Sequence, residues 1–297
     1  MNTQKHVLAA IFSLAAVAYV AAQNPTPPAP AAGAPAAPAR GGGAPPALDT
    51  STPDPVVRPA NGKPLITEDF EAGQIDAKKW ATHQSGEETI GLTKEKVAHG
   101  QQALKVVLPA GKAGATTWAF LGTMLPESLR DHYYGRAYMY ISGPAGAHNV
   151  YMNAGTTGFP ISDFLEIGYN AGNFMISYQQ NAPADGHPRS ETTARQAIPP
   201  MGKWFCLEWE MMNKPEDRIV LWIDGALAAN KAFTFDPVTP RAPVNKVTSG
   251  LVPGGFIEYN VGFRAWSRAD ANTQDIVVYY DDIAIGDKPI GQLTPVR

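Results

Sequence analysis

Residues 202–225, GKWFCLEWEMMNKPEDRIVLWIDG, constrain the chain more tightly than any other stretch. Two β-forming runs, 204–211 and 218–224, flank the turn-forming Asn213-Lys-Pro-Glu-Asp217, which predicts a hairpin. In the first run Phe205, Leu207, Trp209 and Met211 share one face, while Trp204, Cys206, Glu208 and Glu210 share the other. The second run is apolar on both faces, as expected of a strand covered on both sides. Such a hairpin belongs in the middle of a two-sheet sandwich.

The rest of the chain agrees. With 297 residues and 44% hydrophobic content it can build one large β core, and 28 Gly and 27 Pro suit many short strands joined by turns. A net charge of -3 gives no electrostatic reason to expect nucleic acid or an anionic membrane as partner. Lys5 and His6 precede an apolar run at 7–20 and small residues at 20–22, the pattern of a secretory signal peptide over 1–22. That run is shorter than the roughly 20 apolar residues of a transmembrane helix. The expected location is therefore secreted or periplasmic. Cys206 is the one cysteine, so no intrachain disulfide can form, and a lone Cys in an apolar strand is expected to be a packing residue. Residues 23–63 are rich in Pro, Ala and Gly and read as an extended linker, which leaves 64–297 as the folded domain.

Within that domain strands are expected at 65–70, 97–108, 116–121, 134–142, 148–154, 164–169, 174–180, 256–266 and 276–285, besides the hairpin. A single helical turn is expected within 125–132, and 182–200 reads as a long polar loop. About ten strands and almost no helix predict an all-β fold, an antiparallel β-sandwich of jelly-roll (concanavalin A-like) type, and a monomer.

Several segments together carry a resemblance: Asp69-Phe-Glu-Ala-Gly73, Tyr134-Gly-Arg-Ala-Tyr-Met-Tyr140, His148-Asn-Val-Tyr151, Gly202-Lys-Trp-Phe-Cys-Leu-Glu-Trp209, Leu221-Trp-Ile-Asp-Gly225 and Tyr280-Asp-Asp-Ile-Ala284. Across about 65–291 the chain resembles the polysaccharide-lyase-like jelly rolls related to the fungal Cip1 protein, which are similar to glucuronan and alginate lyases. The resemblance implies a carbohydrate-active protein whose partner is an acidic polysaccharide, and a structural calcium ion. Glu71, Asp281 and Asp282 lie on the first and last strands, supply the hard oxygen donors that Ca²⁺ takes, and are its expected ligands.

β-Elimination on a uronate polymer needs a group that neutralises the C5 carboxylate, a base for the C5 proton and an acid for the departing O4. Arg136 is the expected carboxylate partner, His148 the base and Tyr178 the acid, with Tyr138, Tyr151 and Gln180 binding substrate. His148 shares strand parity with Val150 and Met152, so it meets substrate only if it stands at the frayed start of its strand. Two other readings stay open. Glu208 and Glu210 could act as the acid pair of a glycoside hydrolase, although the Glu-x-Asp-x-x-Glu pattern of the glucanase jelly rolls lacks its third acid here. A carbohydrate-binding module without chemistry could instead use Trp118, Trp222 and Trp266 to stack on sugars.

Overall fold

Period-two alternation runs through almost every segment of the computed structural model, and among the described residues it produces fifteen strands. Those residues are 62–86, 89–110, 117–143, 148–156, 163–170, 173–180, 189–194, 198–213, 217–233, 252, 254–265 and 274–293; for Gln180 and 189–194 the backbone alone is described. All belong to one unit, Pro45–Arg297. The expected signal peptide, most of the expected linker and Trp266 lie outside the described residues.

In chain order the strands are β1 (Ile66–Glu68), β2 (Ala81–Ser85), β3 (Thr89–Thr93), β4 (Ala103–Leu108), β5 (Thr117–Met124), β6 (His132–Ile141), β7 (Asn149–Gly155), β8 (Asp163–Asn170), β9 (Asn173–Gln180), β10 (Arg189–Ala194), β11 (Trp204–Met212), β12 (Arg218–Ile223), β13 (Ala226–Ala232), β14 (Glu258–Ala265) and β15 (Ile276–Gly286). The expected helical turn is a single 3₁₀ turn, Glu127–Leu129. The stretch expected to be a polar loop carries β10, which extends the sheet at its edge by pairing with β9.

Two antiparallel sheets face each other. The first runs β13-β12-β11-β6-β15-β4-β3, with β1 on the C-terminal half of β15; the second runs β10-β9-β8-β7-β14-β5-β2. The predicted hairpin is β11–β12, in register from Leu207 opposite Ile223 to Met212 opposite Arg218. Its apolar face holds the sheets together. Trp209 stacks on Tyr259 of the second sheet with centroids 5.5 Å apart, and Phe205 meets Phe174 edge-on. Trp209 needs the bare backbone of Gly135 opposite it, because a methyl group there would lie inside the indole ring.

Two bulges reset which way side chains point. One falls between Val150 and Met152 on β7, and another between Val261 and Arg264 on β14. A bulge strips carbonyls of their ladder partners, and here the hydroxyl of Tyr280, reaching across the core from β15, donates to the carbonyl of Tyr151 at 2.7 Å and to that of Gly262. A third bulge, between Asp281 and Ala284 on β15, puts the non-glycine residue Asp282 at φ 48°.

Candidate functional site

The outer face of the second sheet carries an in-register row of polar residues. Gly122 on β5 faces Asn260 on β14, which faces Asn153 on β7, then Glu166 on β8 and Ser177 on β9. The opposite parity of the same strands, Leu121, Val261, Met152, Ile167 and Ile176, forms core. Amides and carboxylates on strands whose other face is apolar need partners of their own kind. Asn260 Nδ2 donates to Asn153 Oδ1 at 3.1 Å, while Asn260 Oδ1 is buried without a partner among the described residues.

A histidine meets a carboxylate at two places on this face. His83 Nε2 on β2 lies 2.7 Å from Glu258 Oε1, and His148 Nε2 lies 3.6 Å from Glu166 Oε1. The first pair meets in a notch left by Gly122. A methyl group at Gly122 would collide with Asn260 Oδ1 and would sit 2.7 Å from Glu258 Oε1 and 3.0 Å from His83 Nε2. This glycine is needed for space, not for its backbone angles. An apolar strip of Phe120, Val150, Met175 and Trp118 borders the row, and the Arg264 guanidinium lies 5.8 Å from the Trp118 ring centroid. The arrangement brings buried neutral amides and two buried carboxylates together with two half-buried histidines on one face of the sheet, groups of the kind that proton transfer beside an anion uses.

Of the residues expected from sequence, His148 alone stands beside this row. It precedes β7, and the Val150/Met152 bulge breaks the parity that would have pointed it inward. Tyr151 and Tyr178 are corrections: both are fully buried between the sheets, where no substrate reaches them. Arg136 and Tyr138 are corrections of another kind, since they stand on the outer face of the first sheet and cannot meet His148. Gln180 ends β9, and its side chain lies outside the described residues. His83, Asn153, Glu166, Glu258, Asn260 and Arg264 were missed. Their signal was present in β14, where Glu258, Asn260 and Arg264 alternate with Tyr259, Val261, Phe263 and Ala265 around the bulge.

On the first sheet, the chain beyond β15 crosses the outer face. Arg136 Nη1 donates to the Gly291 carbonyl at 2.8 Å and the Tyr138 hydroxyl to the Leu293 carbonyl at 3.3 Å. Glu208, directly opposite Arg136, is bonded to the Gln292 side chain and the Gly291 backbone, and burial still raises its pKa. Glu210 accepts from the Tyr134 hydroxyl and lies 2.8 Å from His132 Nε2. Cys206 beneath is buried, which pushes its thiol up to about 12 and makes it a poor nucleophile.

The residues expected to bind calcium hold backbone instead. Glu71 Oε1 accepts from the N–H groups of Gln101 and Gln102 at 2.8 and 2.9 Å. Asp281 Oδ2 accepts from Ala98 and His99 at 2.9 and 3.2 Å, and Asp282 Oδ2 pairs with the His99 ring. Oxygens turned toward N–H donors do not make the six- to eight-oxygen cage of Ca²⁺. No described group of three or more His, Cys, Asp or Glu side chains is arranged to hold a metal ion. These residues do not fit the ion, and no chemistry is routed through it.

No family model matches the chain, and no curated protein matches it in sequence. Solved structures do. The cellulose-induced protein Cip1 superposes with a TM-score of 0.53 at 21% identity, over 77% of this chain and 100% of that one. The endo-β-1,4-glucuronan lyase of the fungus Trichoderma reesei superposes with a TM-score of 0.56 at 14% identity, over 76% of this chain and 96% of that one. The shared fold is an antiparallel β-sandwich of jelly-roll type. At these identities the likeness concerns architecture, and what the protein does has to come from its own residues.

Proposed function

We propose that the chain is a secreted, carbohydrate-active protein that binds an acidic polysaccharide along the outer face of the second sheet and cleaves it by β-elimination. One observation carries this reading: Asn260, Asn153 and Glu166 share one cross-strand row, and the His83–Glu258 pair and His148 flank it on the same face of the sheet. The amides are suited to hydrogen-bond the uronate carboxylate and stabilise the charge that develops at C5. His83, oriented by Glu258, is suited to remove the C5 proton; the C4–O4 bond then breaks as a C4–C5 double bond forms. The proton taken up by His83 is suited to pass on to the departing O4, while His148 stands beside Glu166 in the same cluster. The neighbouring fold of a glucuronan lyase supports the substrate class.

The test is a panel of polyuronates and neutral glycans followed by near-ultraviolet absorbance, which rises as unsaturated ends form. A uronate should give that rise, and His83→Ala or Glu258→Gln should lower the rate about 100-fold or more, the usual worth of a positioned acid–base group. No rise on any uronate, or unimpaired His83→Ala, would overturn the reading.

A further inference from the structure

The outer face of the first sheet carries a second in-register row, and it is aromatic. Lys105 on β4 faces Tyr279 on β15, which faces Tyr140 on β6, which faces Trp204 on β11. Tyr140 lies 5.7 Å from Tyr279 and 5.9 Å from Trp204, edge to face in both cases. Tyr140 and Trp204 are half-buried, so ring surface is presented outward. From Tyr279 to Trp204 the row crosses two strand spacings, about 10 Å. Tyr and Trp combine a flat apolar body with a polar tip, the form of surface that pyranose rings pack on.

The charges around this row favour an anionic partner. Glu95 is the one carboxylate described against these rings, and it is already engaged: Lys105 Nζ donates to both its oxygens, at 2.8 and 2.6 Å, and the Tyr279 hydroxyl donates at 3.1 Å. Lys96 Nζ stands 4.5 Å from the Tyr140 ring centroid, and Lys94, Lys96 and Lys203 are all exposed beside the row. A cation over an aromatic face, with spare positive charge at the rim, is matched to a sugar that carries a carboxylate. The chain beyond β15 covers the neighbouring rows of Arg136 and Tyr138, and its last described residue, Leu293, is bonded to Tyr138.

We infer that Tyr140 and Trp204, backed by the buried Tyr279 and flanked by Lys96, form a second polysaccharide-binding surface that holds an acidic glycan chain without cleaving it. The inference rests on the proposed acidic substrate, but it assigns that substrate a separate seat on the opposite side of the sandwich. Such a seat keeps the protein on a long chain between cleavage events and adds effective concentration without adding chemistry.

The full-length protein should be run by affinity electrophoresis in native gels cast with polyuronate or with a neutral glucan. Tyr140→Ala and Trp204→Ala should each weaken retardation by the polyuronate about threefold or more. Lys96→Glu, an exposed change that threatens folding least, should weaken it most at low salt, while cleavage of short uronate oligomers stays unchanged. Folded Tyr140→Ala and Lys96→Glu proteins retarded like the wild type would overturn the inference, and so would an equal loss on the neutral gel from Lys96→Glu. The two proposals fail separately. Retardation that responds to Lys96 without any unsaturated product sinks the notch chemistry alone; cleavage with unresponsive retardation sinks the aromatic seat alone.

Discussion

The two outer faces of this sandwich arise from the same alternation and meet opposite fates. On the second sheet the polar row Asn260, Asn153 and Glu166 is bordered by His83, His148 and Arg264; side chain meets side chain in the Asn260–Asn153 and His83–Glu258 hydrogen bonds and in the approach of His148 to Glu166. On the first sheet Arg136 and Glu208 grip a single peptide of the crossing chain, one bonding the carbonyl of Gly291 and the other its backbone. Polar side chains that find backbone become part of the framework. Those that find one another, with an amide oxygen to spare, form a buried polar cluster beside two half-buried histidines.

If that division is right, substitutions on the two faces should fail differently. Gly122→Ala tests the notch most severely. Its methyl group would force apart His83, Glu258 and Asn260, and misplacement on that scale costs about 100-fold in rate. Overpacking should add a stability loss of about 1–3 kcal/mol, which thermal melting would separate from the rate. Near-wild-type activity in Gly122→Ala would break the assignment of the notch.

Arg136→Ala should do the reverse. It removes a charge-assisted bond to Gly291 and should cost about 2 kcal/mol in denaturant unfolding, with cleavage by the folded protein unchanged. A rate that falls in the folded variant would return Arg136 to the site where the sequence had put it.

A smaller effect separates the clamp at Asp281 from the notch. Burial pushes the Asp281 carboxyl up from its ordinary 3.8 to about 7, against the pull of the His99 and Ala98 N–H donors. Between those values the folded protein retains a proton that the unfolded chain has released, so stability falls as pH rises from about 4 to about 7. Asp281→Asn should flatten that slope in melts across the same range. Smallest of all is the effect of chelation: the melting temperature should not move on adding a calcium chelator, and a marked drop would show that Glu71, Asp281 and Asp282 do more than hold backbone.

Much of the fold could be read directly from residues. The alternation in 204–211 located the core face of β11, and the turn-forming residues 213–217 marked the hairpin that pairs it with β12. The site was harder to read. Tyr178 and Tyr151 looked like substrate groups because tyrosine suits both a core and a sugar, and a period of two says that a strand has two faces without saying which is inside. His148 was legible as a residue type but not as a direction, since the Val150/Met152 bulge that turns it outward leaves no simple mark in the sequence.

The sequence by itself determined an all-β sandwich, its central hairpin and the apolar faces that close the core, because side-chain period and turn chemistry act over a few residues. Tertiary structure decided which polar side chains on the outer faces hold backbone and which face one another. That choice depends on where the chain beyond β15 returns, on three bulges, and on the space left by one glycine opposite an asparagine more than a hundred residues away, and none of these is a local property of the chain.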